Sequence, residues 1–303
     1  MDETPIRVSY SNIFRMSHAC VTTGEMSRTN CAPELSHAIR GRSAVSGVTS
    51  HGNRVYAVRD YKTEVEVYDA SSMELQQRLP LPKLSCVSGI AACSQHNCLY
   101  VGDWDISSIH RVDLTRPNDT RNWSVARIPE GLSVNGAHNV LVSCLVENKL
   151  QEYTTLGDLV KEVRLGVANP WHVIQLSSGD YVVSQYTSPG VVSLVGPDGQ
   201  ILRSFDESLP RPGLELEPMR YPVSLAVNKA GDILVADCRN NRILAINSAL
   251  SRAQQFPIAA EVSLRNPYAL WLDEAHDRLY VGEQRGRHRL LVFSNLNGIC
   301  WKL

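Results

Sequence analysis

The sequence predicts an all-β chain closed into a six-bladed propeller, with four antiparallel strands in each blade. Three observations carry that prediction. First, a short apolar strand ending at a small polar or acidic residue occurs six times: VYAVRD (55–60), CLYVGD (98–103), NVLVSC (139–144), DYVVSQ (180–185), DILVAD (232–237) and RLYVGE (278–283). Second, the last residues of successive copies lie 43, 41, 41, 52 and 46 positions apart, the length of a propeller blade. Third, helical periodicity is almost absent, while turn signals recur at matching places in each unit.

Each unit repeats one order of elements. An inner strand comes first and ends in a tight hairpin: Ser50–Asn53, Gln95–Asn97, Asn135–His138, Ser177–Gly179, Lys229–Gly231 and Glu274–His276. Such Gly- and Asn-rich links reach positive φ at little cost. The second strand runs to the polar anchor, and a third follows as VEVYDA, IHRVDL, LQEYTT, VVSLVG, ILAINS or LLVFSN. A more polar fourth strand completes the unit, reached in one blade through the Gly196-Pro197-Asp198-Gly199 turn. The blades therefore fall near 43–82, 83–127, 128–166, 167–217, 218–263 and 264–303. Segment 206–217, with two prolines, reads as a surface insertion. Residues 1–42 are polar and carry no period, so they read as an N-terminal extension to a propeller spanning 43–303, either flexible or adding a strand to the ring. The closing blade is expected to take its outer strand from Ile299–Leu303, where Ile299, Trp301 and Leu303 alternate.

Composition sets broad limits. A hydrophobic fraction of 43% over 303 residues is enough for a sizeable core. The net charge of −1 gives no global field towards nucleic acid or an anionic surface. No apolar run is long enough to span a bilayer, and the N-terminus lacks a signal-peptide pattern, so a cytoplasmic protein without membrane contact is expected. The eight cysteines form no CxxC pair. Cys93 and Cys98 flank one hairpin and would face each other, although reduced thiols fit the expected compartment better. The sequons at Asn118 and Asn122 share one loop and change little.

Two units are more specific than the rest. Tyr221-Pro-Val-Ser-Leu-Ala-Val-Asn, Gly231-Asp-Ile-Leu-Val-Ala-Asp and Asn240-Asn-Arg-Ile together resemble a complete NHL repeat, and Asn266-Pro-Tyr-Ala-Leu-Trp-Leu-Asp with Arg278-Leu-Tyr-Val-Gly-Glu is similar. The resemblance implies an NHL-type propeller like the C-terminal domain of TRIM proteins. The RING and B-box cysteine patterns of that family are absent, which argues against ubiquitin ligase chemistry.

Six-bladed propellers also include metal-dependent lactonases and a zinc lyase, whose sites need three or more ligands from several inner strands. Aligned on the anchors, one inner column reads Gly47, Gly89, Gly131, His172, Ser224, Ala269. The next reads Thr49, Ala91, Ser133, Ile174, Ala226, Trp271. Neither holds a carboxylate, so no metal and no cofactor is expected. His51, His96, His138 and His276 fall in hairpins and read as solvated turn residues. No nucleophile elbow or nucleotide fingerprint is present. The anchors recur with the fold and read as loop holders, so the chain is expected not to be an enzyme.

The reading that follows is a non-catalytic, monomeric interaction module with its loop face as the platform. Candidate binding residues are Tyr61, Trp104, Trp171, His172, Tyr186, Arg220, Arg239, Arg265, Tyr268, Arg285 and Arg287, because aromatics and arginines dominate binding energy at loop-built surfaces. The last two blades and the loops into them carry Arg211, Arg220, Arg239, Arg242, Arg265, Arg285 and Arg287 against five carboxylates, an excess of +2. The expected partner is a protein or peptide of acidic character. RNA binding is the second reading and a metal-dependent hydrolase or lyase the third.

Overall fold

The structure is a computed structural model that describes residues 33–81, 83–206 and 216–296. Its first strand, β1 (Glu34–Arg40), precedes the first blade. Blade 1 is β2 (Val45–His51), β3 (Arg54–Arg59), β4 (Glu64–Asp69) and β5 (Leu75–Pro80). Blade 2 is β6 (Val87–Cys93), β7 (Cys98–Asp103), β8 (Ser108–Asp113) and β9 (Thr120–Ser124). Blade 3 is β10 (Pro129–Val134), β11 (Val140–Cys144), β12 (Lys149–Tyr153) and β13 (Leu159–Arg164). Blade 4 is β14 (Pro170–Gln175), β15 (Tyr181–Gln185), β16 (Val191–Val195) and β17 (Ile201–Asp206). Blade 5 is β18 (Pro222–Val227), β19 (Ile233–Asp237), β20 (Arg242–Ile246) and β21 (Ala253–Gln255). Blade 6 contains β22 (Pro267–Asp273), β23 (Arg278–Glu283) and β24 (Arg289–Ser294). The described residues form six sheets, each of four antiparallel strands.

The first hairpin of every blade holds one residue at positive φ: Gly52, Asn97, His138, Gly179, Gly231 and Asp277. That conformation lets a two-stranded ribbon keep its right-handed twist through the turn. The second strands are buried on both faces, as in β7, where all six residues are buried. The outer strand β13 instead buries only Val163 and leaves Leu159, Val160 and Glu162 exposed. The core consists of layers between neighbouring blades. Tyr56, Val58 and Val67 of blade 1, for example, pack with Val87, Leu99 and Val101 of blade 2.

Ring closure departs from the sequence expectation. The outer strand of blade 6 is β1, which pairs with β24 from Glu34↔Ser294 to Arg40↔Arg289. Ile39 is buried with Val48, Val55 and Leu290, between the last blade and the first. The register shifts between Leu35 and His37, and this irregularity hides the strand from a search for simple alternation. Residues 299–303, expected in that place, lie outside the described residues. The propeller therefore takes in Glu34–Arg40, which the sequence reading leaves in the extension.

A second irregularity positions the site. All six inner strands shift register near their first residues: at Val45/Gly47, Val87/Ile90, Pro129/Leu132, Pro170/Val173, Pro222/Leu225 and Pro267/Ala269. A bulge sets two residues against one, so consecutive side chains no longer alternate strictly between faces. At this end of the channel the lining residues come in neighbouring pairs.

Candidate functional site

The inner strands surround an axial cavity of about 230 Å³. Its wall is mostly small, because the inner strands approach one another closely. A methyl group on Gly131 would stand only 2.7 Å from the His172 Cα. Hydroxyls tie the blades together around this wall. Ser143 Oγ accepts from the Gly131 N–H at 2.9 Å and donates to the Trp171 carbonyl. Ser184 Oγ accepts from the His172 N–H at 3.1 Å and donates to the Val223 carbonyl at 2.6 Å. These two serines stand just before the anchor place in blades 3 and 4, the two blades that lack an acidic anchor.

His172 extends the same stitching. Its Nδ1 accepts from the Leu225 N–H at 3.0 Å, so Nε2 carries the proton and donates to the Leu132 carbonyl at 3.1 Å. One ring thus joins blades 3, 4 and 5. Burial brings its pKa down to about 4, against the opposing effect of the two backbone bonds. A neutral ring with both nitrogens engaged has no free edge for a ligand or a metal.

Glu130 is different. It follows Pro129 within the bulge of β10 and lines the cavity beside Gly131. Burial alone pushes its carboxyl up to about 8, with no hydrogen bond or cation offsetting the rise. Burial, followed by the charges of Glu130 and Asp60, holds the Tyr268 phenol well above its usual range. Asp60 is also raised by burial, opposed by a hydrogen bond from Ser46 and by the charge of His288. Ser88 Oγ is buried in the cavity wall without a hydrogen-bond partner. Strict alternation puts Gly131 on the channel and passes over Glu130, which is why the aligned columns miss it. The signal that could have found it is a glutamate one residue before an inner-column glycine in a strand that begins with proline.

Aromatic rings collect at the mouth. Trp171 and Tyr186 lie 4.3 Å apart at 31°, Trp171 meets Tyr268 edge to face at 5.9 Å and 81°, and Tyr186 meets Tyr221 at 4.8 Å. The Arg239 guanidinium sits 6.0 Å over the Tyr221 ring. The structure therefore joins Trp171, Tyr186, Tyr268 and Arg239 into one chain of contacts leading from the channel. Tyr61 and Trp104 stand apart from it, 83% and 42% exposed. Arg220, Arg265, Arg285 and Arg287 are exposed at the loops of blades 5 and 6. The 285–287 turn lies against Arg265, whose Cβ is 3.3 Å from where a Gly286 side chain would begin. Arg211 lies outside the described residues.

The acidic anchors hold loops. Asp237 accepts from the Arg220 N–H at 2.7 Å, Asn240 Nδ2 at 2.8 Å and Arg242 Nε at 2.6 Å. Glu283 accepts from the Arg265 N–H at 2.8 Å and from Arg289 Nε and Nη2 at 2.7 Å. The hairpin histidines do more than face solvent. His51 Nε2 is 2.8 Å from Asn97 Oδ1 of the next blade, and His96 meets His138 edge to face at 6.1 Å. His276 is the exposed one, held 3.0 Å from Asp273. Cys93 and Cys98 are directly paired across β6 and β7 as free thiols. Among the described residues no three His, Cys, Asp or Glu side chains gather to hold a metal. None of the described helices is long and apolar enough to cross a membrane.

Residues 219–246 match the NHL repeat. The match lies in blade 5 of a six-bladed propeller. That match covers the repeat and does not extend to TRIM-type proteins. No curated protein matches the sequence significantly. Among solved structures, virginiamycin B lyase from Staphylococcus aureus superposes with a TM-score of 0.63 at 11% identity, covering 86% of this chain and 99% of that one. A catalytically inactive variant of that lyase with quinupristin gives 0.63 at 12% identity, with the same coverage. Hydrazine synthase from Kuenenia stuttgartiensis gives 0.62 at 13% identity, covering 90% and 100%. Similarity at this level is similarity of fold.

The expectation of a non-catalytic interaction module is corrected here. Lyase rings are among the structures this propeller resembles, and its channel holds a carboxyl of the kind that the aligned columns exclude. The bulges explain the difference, since they turn a residue onto the channel that simple alternation places elsewhere.

Proposed function

We propose that this propeller is an enzyme of lyase type, with Glu130 moving a proton at the channel mouth. The observation that carries the reading is an unpaired carboxyl inside a cavity, its pKa pushed up to about 8. A general acid–base group works best with a pKa near the operating pH, and burial is the ordinary means of raising a carboxylate there. In such a step the Glu130 carboxylate takes a proton from a carbon next to a carbonyl. The C–H electron pair becomes a C=C bond, the bond to the leaving oxygen breaks, and the new carboxylic acid returns its proton to that oxygen. Atoms balance without water or an external oxidant. His172, neutral and bonded on both sides, holds the strands that carry Glu130 and Trp171 in place and takes no part in proton transfer. The described side chains do not form the metal shell of the propeller lactonases and zinc lyase, so the step rests on the carboxyl itself.

Support also comes from the lyase rings with a similar fold. The test uses virginiamycin B, quinupristin and a panel of small lactones as probes, with products read by mass spectrometry. Elimination leaves the mass of a ring-opened product unchanged, whereas hydrolysis adds one water. Conversion with unchanged mass, lost in Glu130→Gln and rising with pH to a plateau above about 8, is the expected result. The pKa itself is checked by carbon NMR of labelled glutamate. A Glu130 that titrates with the exposed carboxylates, near about 4, removes the basis of the reading.

A further inference from the structure

Two features of the mouth remain unused by proton transfer. The first is the corner formed by Trp171 and Tyr268, two rings at 81° that both line the cavity. The second is the sign of the charge beside it. Glu130 and Asp60 both act on Tyr268, and neither carboxylate forms an ion pair with a lysine or arginine among the described residues. The arginines stand further out, with Arg239 over Tyr221 at the far end of the ring contacts. Aromatic faces and a lining carboxylate without a cation of its own, that of Glu130, make a site whose missing component is positive charge.

We infer that the Trp171–Tyr268 corner, closed by Glu130, binds an organic ammonium group. Ring faces attract a cation through their quadrupoles, and the attraction grows where water is displaced. The partly buried Glu130 carboxylate, whose charge reaches Tyr268, supplies the larger part of the charge complement. Soft, weakly hydrated ions such as alkylated ammonium groups fit such walls better than a small metal ion, which demands several oxygen ligands. The proposal rests on the same mouth as the proton-transfer reading and would define its substrate class, but it requires no turnover.

Proton linkage gives the site a signature. The titratable groups that line the cavity with Glu130 are Tyr268, which stays protonated through neutral pH, and His172, which stays neutral. Asp60 acts on Tyr268 from the end of β3 in blade 1 and is itself faced by His288. A cation needs the ionised form of Glu130, so binding must expel its proton. With a carboxyl near 8, the ionised fraction rises from about 3% at pH 6.5 to about 90% at pH 9, so affinity rises roughly thirtyfold.

The experiment is titration calorimetry with choline and with 3,3-dimethylbutanol, its uncharged carbon isostere, on the full chain at pH 6.5 and 9. Choline is expected to bind at least tenfold tighter than the isostere at pH 9, with the thirtyfold pH effect. Glu130→Gln should abolish the pH effect, and Trp171→Leu should weaken binding at least tenfold. Melting curves of each variant confirm folding, and Glu130→Gln keeps the shape of the side chain. Equal binding of the two probes, stronger binding at pH 6.5, or no choline binding at tens of millimolar each overturns the proposal. If Glu130→Gln abolishes turnover but leaves choline affinity and its pH dependence intact, the cation site falls while the proton-transfer reading stands. If choline binds as expected but no probe is turned over, the cation site stands and the proton-transfer reading falls.

Discussion

Replacing Glu130 by Gln should stabilise the fold, and by more as the pH rises. The carboxyl sits near 8 in the native channel against an ordinary value of 4.5, so between those pH values the folded chain binds more protons than the unfolded chain. Wild-type stability therefore falls as pH rises through this window, and the whole cost is present above about 8. The interval from 4.5 to about 8, at about 1.36 kcal/mol for each pH unit, sets a ceiling of about 5 kcal/mol. An amide in the same place still loses some hydration, so a gain of about 2–4 kcal/mol at pH 9 is expected. In a chain of this size that corresponds to a rise of about 5 °C or more in Tm. Urea denaturation and calorimetry of both proteins at pH 5 and pH 9 provide the comparison. The difference should be small at pH 5, where the wild-type carboxyl is neutral, and large at pH 9. An equal offset at both pH values, or a variant less stable than wild type at pH 9, would refute the reasoning that burial alone raises this group. A functional carboxyl held at a cost to stability is a familiar pattern of active sites.

Three other expectations follow from the same structure. His172 titrates near 4 when folded and near 6.5 when free, so the unfolded state binds the extra proton and stability falls as pH drops from 6.5 towards 4, by up to about 3 kcal/mol. His172→Phe should remove that acid-side slope in urea titrations, while costing about 2–5 kcal/mol at pH 7 because the Leu132 carbonyl and the Leu225 N–H lose their partner. Asp237→Ala removes the carboxylate that accepts from the buried Arg242 Nε and the Arg220 N–H, and chemical denaturation should show a loss of about 3–5 kcal/mol; a change below about 1 kcal/mol would mean that the anchor is dispensable. Deleting residues 1–40 removes β1, exposes the edge of β24 and uncovers the core around Leu290; the melting temperature should fall by at least about 5 °C, and an unchanged value would contradict closure by this strand.

Much of the architecture is local information and is legible in the chain. Strand, hairpin and anchor recur because each blade must bury the same two faces against its neighbours, so the pattern repeats wherever the geometry does. The strands β2 to β24 fall within the six blade ranges read from the sequence, and a residue at positive φ lies in or directly after each of the six hairpins. Asp237, Glu283 and Arg242 hold the loops, as residues that recur with a fold should. Trp171, Tyr186 and Tyr268 stand out in the sequence as aromatics entering or leaving strands, and in space they converge.

What the chain alone leaves undecided lies where regular periodicity fails or where distant segments meet. The bulge in β10 brings Glu130 to the channel beside Gly131, and a bulge cannot be read from alternation because it is a departure from alternation. The pKa of Glu130 depends on what surrounds it in space, and Tyr268, on which its charge acts, lies in another blade far along the chain. The pairing of β1 with β24 joins the two ends of the described chain, a contact that no repeat unit encodes. Local sequence specifies a blade because each blade solves the same local problem. Closing six of them into a ring, and placing an unpaired carboxyl in the channel wall, are properties of the assembled ring, set by which surfaces are left facing one another once the blades have packed.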